Sequence, residues 1–253
     1  MTLRLAWFTA GRGAGSRGMF ERAVSAIADG SLNAEIAVVF IQRERGEGEG
    51  SDAFMDRARS LGIPVETLSA RRWRAEHGGT LTSPVRAAYD QALWAQVAPH
   101  APQVGVLAGY LLIMSPELTR SLPFVNLHPA LPEGPVGLWQ KVVAQLISEG
   151  TRETGSTVFR VTEELDRGPS LAYTRVGLRG PGFDALWADP AAHQPADEGG
   201  ALFDAIRAAG VRREPELLVQ TLRALADGRM GIEDRTRALD LTAQVEAALD
   251  ARS

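Results

Sequence analysis

The feature that most constrains the fold is a regular alternation of short apolar segments with longer amphipathic ones. The runs IAVVFI (36–41) and VGVLAGY (104–110) are apolar at nearly every position, whereas the segments between such runs carry apolar residues at helical spacing. Strands of a parallel sheet have this pattern, because helices cover both faces of the sheet. The sequence therefore predicts an α/β fold, Rossmann-like, with a mostly parallel sheet and flanking helices.

The amino-acid composition of the sequence changes near residue 181. Residues 181–200, PGFDALWADPAAHQPADEGG, are rich in proline and glycine, and helix-like segments follow them through Val245 to Leu249. We expect a main domain over residues 1–180. Residues 181–253 are expected to form a connection and a helical C-terminal extension that packs on it.

Composition narrows the classes of function. With 253 residues and 45% hydrophobic content, the chain can fill a substantial core, and its net charge of -4 argues against nucleic acid as a partner. The absence of cysteine excludes disulfides, thiolate nucleophiles and cysteine-ligated metals. No segment approaches the ~20 apolar residues of a membrane span. We expect a cytoplasmic protein with small-molecule substrates and no membrane partner, and a homodimer is left open.

A glycine-rich segment, GRGAGSRG (11–18), follows the first predicted strand and opens the first predicted helix. Gly13, Gly15 and Gly18 form the pattern G-x-G-x-x-G, in which backbone N–H groups and a helix N-terminus approach an anion closely. A tight strand-to-helix turn is the alternative. A tight turn alone would not need the hydroxyl of Ser16 or the charge of Arg17, so we favour a site for a phosphate or another anion.

The same glycine pattern also occurs in dinucleotide-binding folds. There an acidic residue after the second strand holds the ribose, but this chain has Arg43 and Arg45 at that place, which suit a 2'-phosphate instead. An NADP-dependent reductase is therefore an alternative hypothesis.

The segment FVNLHP (124–129) places an amide and an imidazole two residues apart at the end of a predicted strand. Because side chains alternate along a strand, Asn126 and His128 project to the same side, toward the crevice where open α/β folds bind ligands. An amide donor beside an imidazole suits the stabilisation of an oxyanion during proton transfer. The alternative is that His128 only makes a local hydrogen bond at the strand end.

A third segment, GSTVFRVTEELDRGPSLA (155–172), leads from a strand into a turn with three carboxylates. Glu163 and Glu164 are equally well explained as part of a solvated loop. Asp166 differs, because it lies inside the turn L-D-x-G-P, where Gly168 and Pro169 fix the backbone.

Three segments, in this order, resemble the motifs of the 10-formyltetrahydrofolate-dependent formyltransferases: VLAGYLLIMSPEL (106–118), NLHPAL (126–131) and GSTVFRVTEELDRGP (155–169). The resemblance is greatest to the phosphoribosylglycinamide formyltransferases of purine synthesis. It covers residues 1 to about 180, so that 1–180 would be the formyltransferase catalytic domain. The resemblance implies 10-formyltetrahydrofolate as formyl donor, and an amine, most of all phosphoribosylglycinamide, as acceptor.

The resemblance also implies roles for individual residues. Asn126, His128 and Asp166 would be the catalytic set, and Arg86, in RAAYDQAL, would meet the glutamate tail of the folate. The pterin would be held by two further segments, consisting of Leu111, Leu112, Ile113 and Met114 and of Thr162, Glu163, Glu164 and Leu165. The acceptor phosphate would bind at Gly13, Gly15, Ser16 and Arg17.

The sequence of this chain differs from the family's motifs mainly in the segments that would contact the formyl acceptor. Arg17 replaces the asparagine of the family's G-S-N-L, Phe159 stands where many members have a histidine, and PEGPVGLWQ (132–140) replaces the usual segment after the catalytic histidine. Another sugar-phosphate amine, or water, therefore stays open as the acceptor. The chemistry needs no metal, and His77, His100 and His193 lie in separate segments without metal-ligand spacing.

Overall fold

The structure, a computed structural model, describes residues 2–78, 83–164, 168–194, 200–234 and 237–252. The chain forms two compact units. Unit 1 consists of Met1–Asn126, Arg160–Gly168 and Leu222–Glu233, and unit 2 consists of Leu127–Phe159, Pro169–Thr221 and Asp234–Ser253. The boundary expected near residue 181 stays a prediction.

Unit 1 is built on a parallel sheet with the strand order β3-β2-β1-β4-β5. Its strands are β1 (Leu3–Thr9), β2 (Ala34–Ile41), β3 (Val65–Thr67), β4 (Val104–Leu107) and β5 (Phe124–His128), whose last two residues belong to unit 2. Its helices are α1 (Ala14–Ala28), α2 (Glu49–Ser60), α3 (Ala70–His77), α4 (Ser83–Val97) and α5 (Pro116–Ser121), and a 3₁₀ turn covers Ala98–His100. The predicted parallel α/β fold is confirmed.

The apolar strands of unit 1 are buried as expected for a sheet covered by helices. Phe8 of β1, Phe40 of β2 and Phe124 of β5 are fully buried, and the Phe8 ring centroid lies 5.5 Å from that of Phe40 and 5.1 Å from that of Phe124. Tyr89 of α4 is also fully buried and belongs to the same core. This packing holds the carboxyl ends of the strands in fixed positions.

Unit 2 contains the remaining elements. They are α6 (Trp139–Ser148), β6 (Glu153–Arg160), β7 (Ser170–Gly177), α7 (Asp184–Ala188), a 3₁₀ turn (Pro190–His193), α8 (Ala201–Ala226), β8 (Leu239–Asp240) and α9 (Thr242–Asp250). The last residues of β6 and α8 belong to unit 1. Strand β7 pairs antiparallel with β6 and parallel with β8. The helices that were expected after residue 200 are present.

Two segments differ from the simplest interpretation of the sequence. The apolar run that begins at Val104 is a strand only to Leu107, because Gly109 adopts a left-handed conformation with φ of 73°. The residues after Leu107 therefore form a loop at the edge of the sheet. In the C-terminal part, α8 continues through Pro215 although proline removes a backbone hydrogen bond.

Candidate active site

The carboxyl ends of β1 and β4 lie side by side in unit 1, next to Asn126 of β5. Strand β4 pairs in parallel with both neighbours, and Leu107 is in register with Asn126. Asn126, half-buried, therefore lies at the same edge as the loops that follow β1 and β4. This is the edge at which open α/β sheets bind their ligands, as the sequence predicted for Asn126.

Helix α1 begins directly in the glycine-rich segment. Gly13 is its N-cap and has no side chain that could cap the first turn. Ser16 is buried, and its hydroxyl donates to the Gly13 carbonyl at 2.9 Å, whereas Arg17 is exposed. The first-turn N–H groups and the Arg17 guanidinium are hydrogen-bond donors of the kind that anion sites use, and the phosphate site stays a prediction. Gly15 lies within the first turn itself.

The start of α1 touches the loop after β4. A Cβ atom added at Gly109 would lie 2.8 Å from the Ser16 Cβ, and the Gly109 carbonyl accepts from the Ala10 N–H at 3.0 Å. Only glycine fits there, both for lack of space and because of its positive φ. The two predicted ligand-binding segments are therefore in direct contact within unit 1.

The loop after β4 forms one wall of a cavity of about 680 Å³ in unit 1. The cavity is lined by Arg74, Arg86, Ala87, Leu111, Leu112, Ile113, Met114, Ser115, Pro116 and Glu117. Leu111 and Ile113 are 64% and 62% exposed, which is unusual for such apolar side chains. The structure thus brings together Arg86 and residues 111–114, which the sequence assigned to folate.

Arg86 is buried instead of lying on a solvated helix face. Its guanidinium forms an ion pair with Asp90 at 2.6 Å and donates to the Tyr110 hydroxyl at 3.2 Å. Its Nη1 atom is buried and has no hydrogen-bond partner among the described residues. Burial raises the pKa of Asp90, although Arg86 and the Ser115 N–H act in the opposite direction.

Sequence reasoning missed Asp90, which joins Arg86 to the loop after β4. The Asp90 carboxylate accepts from the Ser115 N–H at 2.6 Å. The signal was available in RAAYD, because Arg86 and Asp90 are four residues apart and adjoin each other on a helix. Gln42, whose side chain accepts from the Leu111 N–H at 3.1 Å, gave no such signal.

His128 belongs to unit 2 and is half-buried at the end of β5. Its Nε2 lies 2.7 Å from the Pro135 carbonyl oxygen. Because a carbonyl can only accept, this hydrogen bond requires a proton on Nε2, and Nδ1 is the other ring nitrogen. The local hydrogen bond that the sequence analysis considered as an alternative thus exists, and it leaves the second ring nitrogen available for chemistry. Asp166 and Leu165 lie outside the described residues.

The remaining predicted folate residues have surface positions in unit 1. Glu163 pairs with Arg120 of α5 at 2.7 Å, and the Thr162 hydroxyl donates to the Glu164 carbonyl at 3.3 Å. Thr162 is half-buried and Glu164 is exposed. Their part in binding folate stays a prediction.

Arg43 and Arg45, on which the reductase hypothesis depends, already have partners. Arg45 pairs with Asp56, and Arg43 donates to the Glu47 carbonyl at 2.8 Å. A 2'-phosphate would have to compete with these contacts, so the structure adds no support for NADP.

The three other histidines belong to other segments of the chain. His77 ends α3, His100 pairs with Glu66 at 2.9 Å, and His193 contacts the edge of Trp187. The described residues contain no group of three or more side chains that could hold a metal ion. Every helix within the described ranges is too short or too polar to cross a membrane.

Comparisons with known proteins identify several similar chains. The model of the family described as "Formyl transferase" matches residues 5–178. The phosphoribosylglycinamide formyltransferase of Escherichia coli is 35% identical over 129 residues, which cover 50% of this chain and 55% of that protein. The match thus spans about half the length of this relative.

Solved structures show the same fold. Glycinamide ribonucleotide transformylase 1 from Symbiobacterium toebii superposes with a TM-score of 0.69 at 22% identity, over 94% of this chain and 95% of that chain. A formyltetrahydrofolate deformylase from Pseudomonas syringae superposes with a TM-score of 0.68 at 20% identity, over 95% of this chain and 66% of that chain. At such identities the likeness concerns the fold and does not separate the two activities.

Proposed function

Because this chain belongs to the formyl transferase family, we propose that it transfers the formyl group of 10-formyltetrahydrofolate to an amine, with phosphoribosylglycinamide as the preferred acceptor. One observation carries the proposal. The cavity of unit 1 is lined both by the exposed apolar residues Leu111 and Ile113 and by Arg86, whose Nη1 has no acceptor in the part of the chain that the structure describes. A folate has the matching parts, an aromatic pterin and a carboxylate tail.

The proposed chemistry is an acyl transfer. The amine nitrogen attacks the formyl carbon, negative charge develops on the formyl oxygen, and the bond from carbon to the folate nitrogen then breaks. Asn126 donates a hydrogen bond to the oxyanion. His128, with Nε2–H held by the Pro135 carbonyl, uses Nδ1 to deliver a proton to the leaving nitrogen. Asp166 keeps His128 protonated and accepts, through water, the proton that the attacking amine loses.

The acceptor site is proposed at the start of α1. A phosphate would receive hydrogen bonds from the first-turn N–H groups, and the exposed Arg17 guanidinium would add a charged pair of donors. The Ser16 hydroxyl donates to the Gly13 carbonyl, so it would have to break this hydrogen bond before it could donate to a phosphate. Arg17 therefore carries more of the expected phosphate affinity than Ser16.

The first experiment tests the chemistry with Asn126→Ala. Loss of one oxyanion donor lowers kcat by about 10²–10³, whereas folate binding, measured by fluorescence quenching, stays within about twofold. Asn33→Ala is the matched control, because Asn33 is an exposed asparagine of the same unit. If Asn126→Ala and Asn33→Ala have equal kcat values, Asn126 is not the oxyanion donor and the proposed chemistry is wrong.

The second experiment identifies the acceptor. Release of tetrahydrofolate is followed with phosphoribosylglycinamide, with its dephosphorylated form, and with water alone. We expect the phosphorylated amine to be preferred, and Arg17→Ala to raise its KM about tenfold without changing the KM for the folate. Arg59→Ala, at an exposed arginine of α2, is the control. Equal rates with and without amine would make the protein a formyltetrahydrofolate hydrolase instead.

A further inference from the structure

Three arginines lie on the short helix α3 of unit 1, and the proposed reaction assigns no part to any of them. Arg71 pairs with Glu47 at 3.0 Å, and Arg72 pairs with Glu44 at 2.6 Å. Within the described residues, no carboxylate pairs with Arg74, and its Nε donates only to a carbonyl of its own helix at 3.2 Å. Of these three positive charges, only that of Arg74 has no counter-ion in the part of the chain that the structure describes.

The packing of α3 explains why Arg74 lies at the cavity of unit 1. Trp73, the preceding residue, packs edge-on against Tyr89 of α4, with ring centroids 5.7 Å apart, and it stacks on the His77 ring at 4.1 Å. The guanidinium carbon of Arg86 lies 5.2 Å from the centroid of the same Tyr89 ring. Because Trp73 and Arg86 contact one ring, Arg74 is held next to Arg86, and both line the cavity.

The two arginines of the cavity differ in depth. Arg86 is 6% exposed, and its buried Nη1 has no acceptor among the described residues, whereas Arg74 is exposed. A ligand that places one carboxylate on Arg86 would therefore extend past Arg74 on its way to solvent. A second anionic group farther along the same ligand would meet Arg74 there.

The tail of a folate can supply both anionic groups. Its first glutamate has an α-carboxylate, and further glutamates attach to its γ-carboxylate, so that each added residue contributes one carboxylate farther outward. We propose that Arg74 binds the carboxylate of the second glutamate, so that the protein prefers folates with two or more glutamates to the monoglutamate. This inference rests on the proposed function, because it concerns the tail of the same folate.

The expected preference is modest, because water screens an exposed ion pair. Such a contact typically changes an affinity by about three- to fivefold. Glu117, an exposed carboxylate, lines the same cavity and opposes an anionic tail. The preference therefore depends on the individual contact with Arg74 and not on a general positive field of the cavity.

The test compares tetrahydrofolate monoglutamate and diglutamate as probes, with the full chain and with binding followed by fluorescence quenching at low salt. We expect the unaltered protein to bind the diglutamate about three- to fivefold more tightly, and Arg74→Gln to bind both probes equally. Arg72→Gln is the matched control, because Arg72 is an exposed arginine of the same helix whose charge is already paired, and it should keep the preference. If Arg74→Gln keeps the preference as well, the proposal is wrong.

Two further measurements distinguish an ionic contact with the second glutamate from other roles of Arg74. Arg74→Lys retains the charge and should keep at least half of the preference, whereas a loss as complete as in Arg74→Gln contradicts an ionic contact. At 0.5 M sodium chloride, where the screening length is about 4 Å, the preference should fall below about twofold. Equal weakening of both probes by Arg74→Gln would place the contact at the first glutamate and overturn the proposal.

Failure of the proposed function has a different signature. If the unaltered protein binds neither probe, the chain has no folate site, and the proposed function falls together with this inference. If it binds both probes equally and transfers the formyl group, only the assignment of Arg74 is wrong. In formyl transfer, the second glutamate should lower the KM for the folate and leave kcat unchanged, because a tail contact is equal in the ground state and the transition state. A change in kcat alone contradicts a tail contact.

Discussion

The loop after β4 and the loop after β5 leave neighbouring strands but are held in different ways. Residues 108–115 are fixed by buried side chains from elsewhere in unit 1, since Gln42 accepts from the Leu111 N–H and Asp90 from the Ser115 N–H. Both acceptors are buried, at 8% and 1% exposure. A main chain fixed by buried polar partners has few alternative conformations, because each lost contact leaves an unpaired group.

Residues 129–138, in unit 2, begin with one buried contact, in which the Thr157 hydroxyl donates to the Ala130 carbonyl at 2.7 Å. The later part of this loop contacts itself and its own strand. The Pro135 carbonyl contacts His128, and the Gly134 N–H donates to the Leu131 carbonyl. Val136 and Leu138 are 58% and 69% exposed. The first loop carries the sequence that resembles the family, whereas the second carries PEGPVGLWQ, which departs from it. Buried polar contacts restrict sequence, and exposed loops permit change.

Asp90→Ala should produce the largest effect in this comparison. It leaves the Arg86 guanidinium buried without its counter-ion and frees the Ser115 N–H, so the free energy of unfolding should fall by about 3–5 kcal/mol. Urea denaturation measures it. The double variant Arg86→Met/Asp90→Leu should recover most of the stability but not the affinity for folate. A loss below about 1 kcal/mol in Asp90→Ala would show that the first loop is not held by this carboxylate.

A matched pair of glycine substitutions compares the two loops directly. Gly109→Ala combines φ of 73° with a Cβ placed 2.8 Å from Ser16, whereas Gly137→Ala has φ of 112° and no atom within 4 Å. We expect the free energy of unfolding to fall by about 2–3 kcal/mol in Gly109→Ala and by about 1 kcal/mol in Gly137→Ala, because only the first substitution adds a clash to the backbone strain. Thermal unfolding measures both. Equal losses of stability would mean that the first loop can shift away from Ser16 and relieve the clash, so that it is no more rigid than the second loop.

The sequence predicted the parts of this fold that depend on local pattern. Periodicity located the strands, and spacing placed Asn126 at the correct edge of the sheet. The contacts between Gln42 and Leu111 and between Pro135 and His128 were not predictable, because they join backbone groups to residues that no repeat or motif connects. The continuity of α8 through Pro215 is a further example. There Arg213 of α8 pairs with Glu246 of α9 at 2.6 Å, and this tertiary contact helps to offset the local preference against proline.

The smallest expected effect is that of Val136→Ser in the second loop. Val136 is 58% exposed, so the substitution removes little buried surface and should change the free energy of unfolding by less than about 0.5 kcal/mol. Met114→Ser, at a residue of the first loop that is 8% exposed, is its counterpart and should cost about 2 kcal/mol or more. Urea denaturation with unchanged m-values measures both. If Val136→Ser costs more than about 1 kcal/mol, this residue is packed in solution, and the second loop is held as firmly as the first.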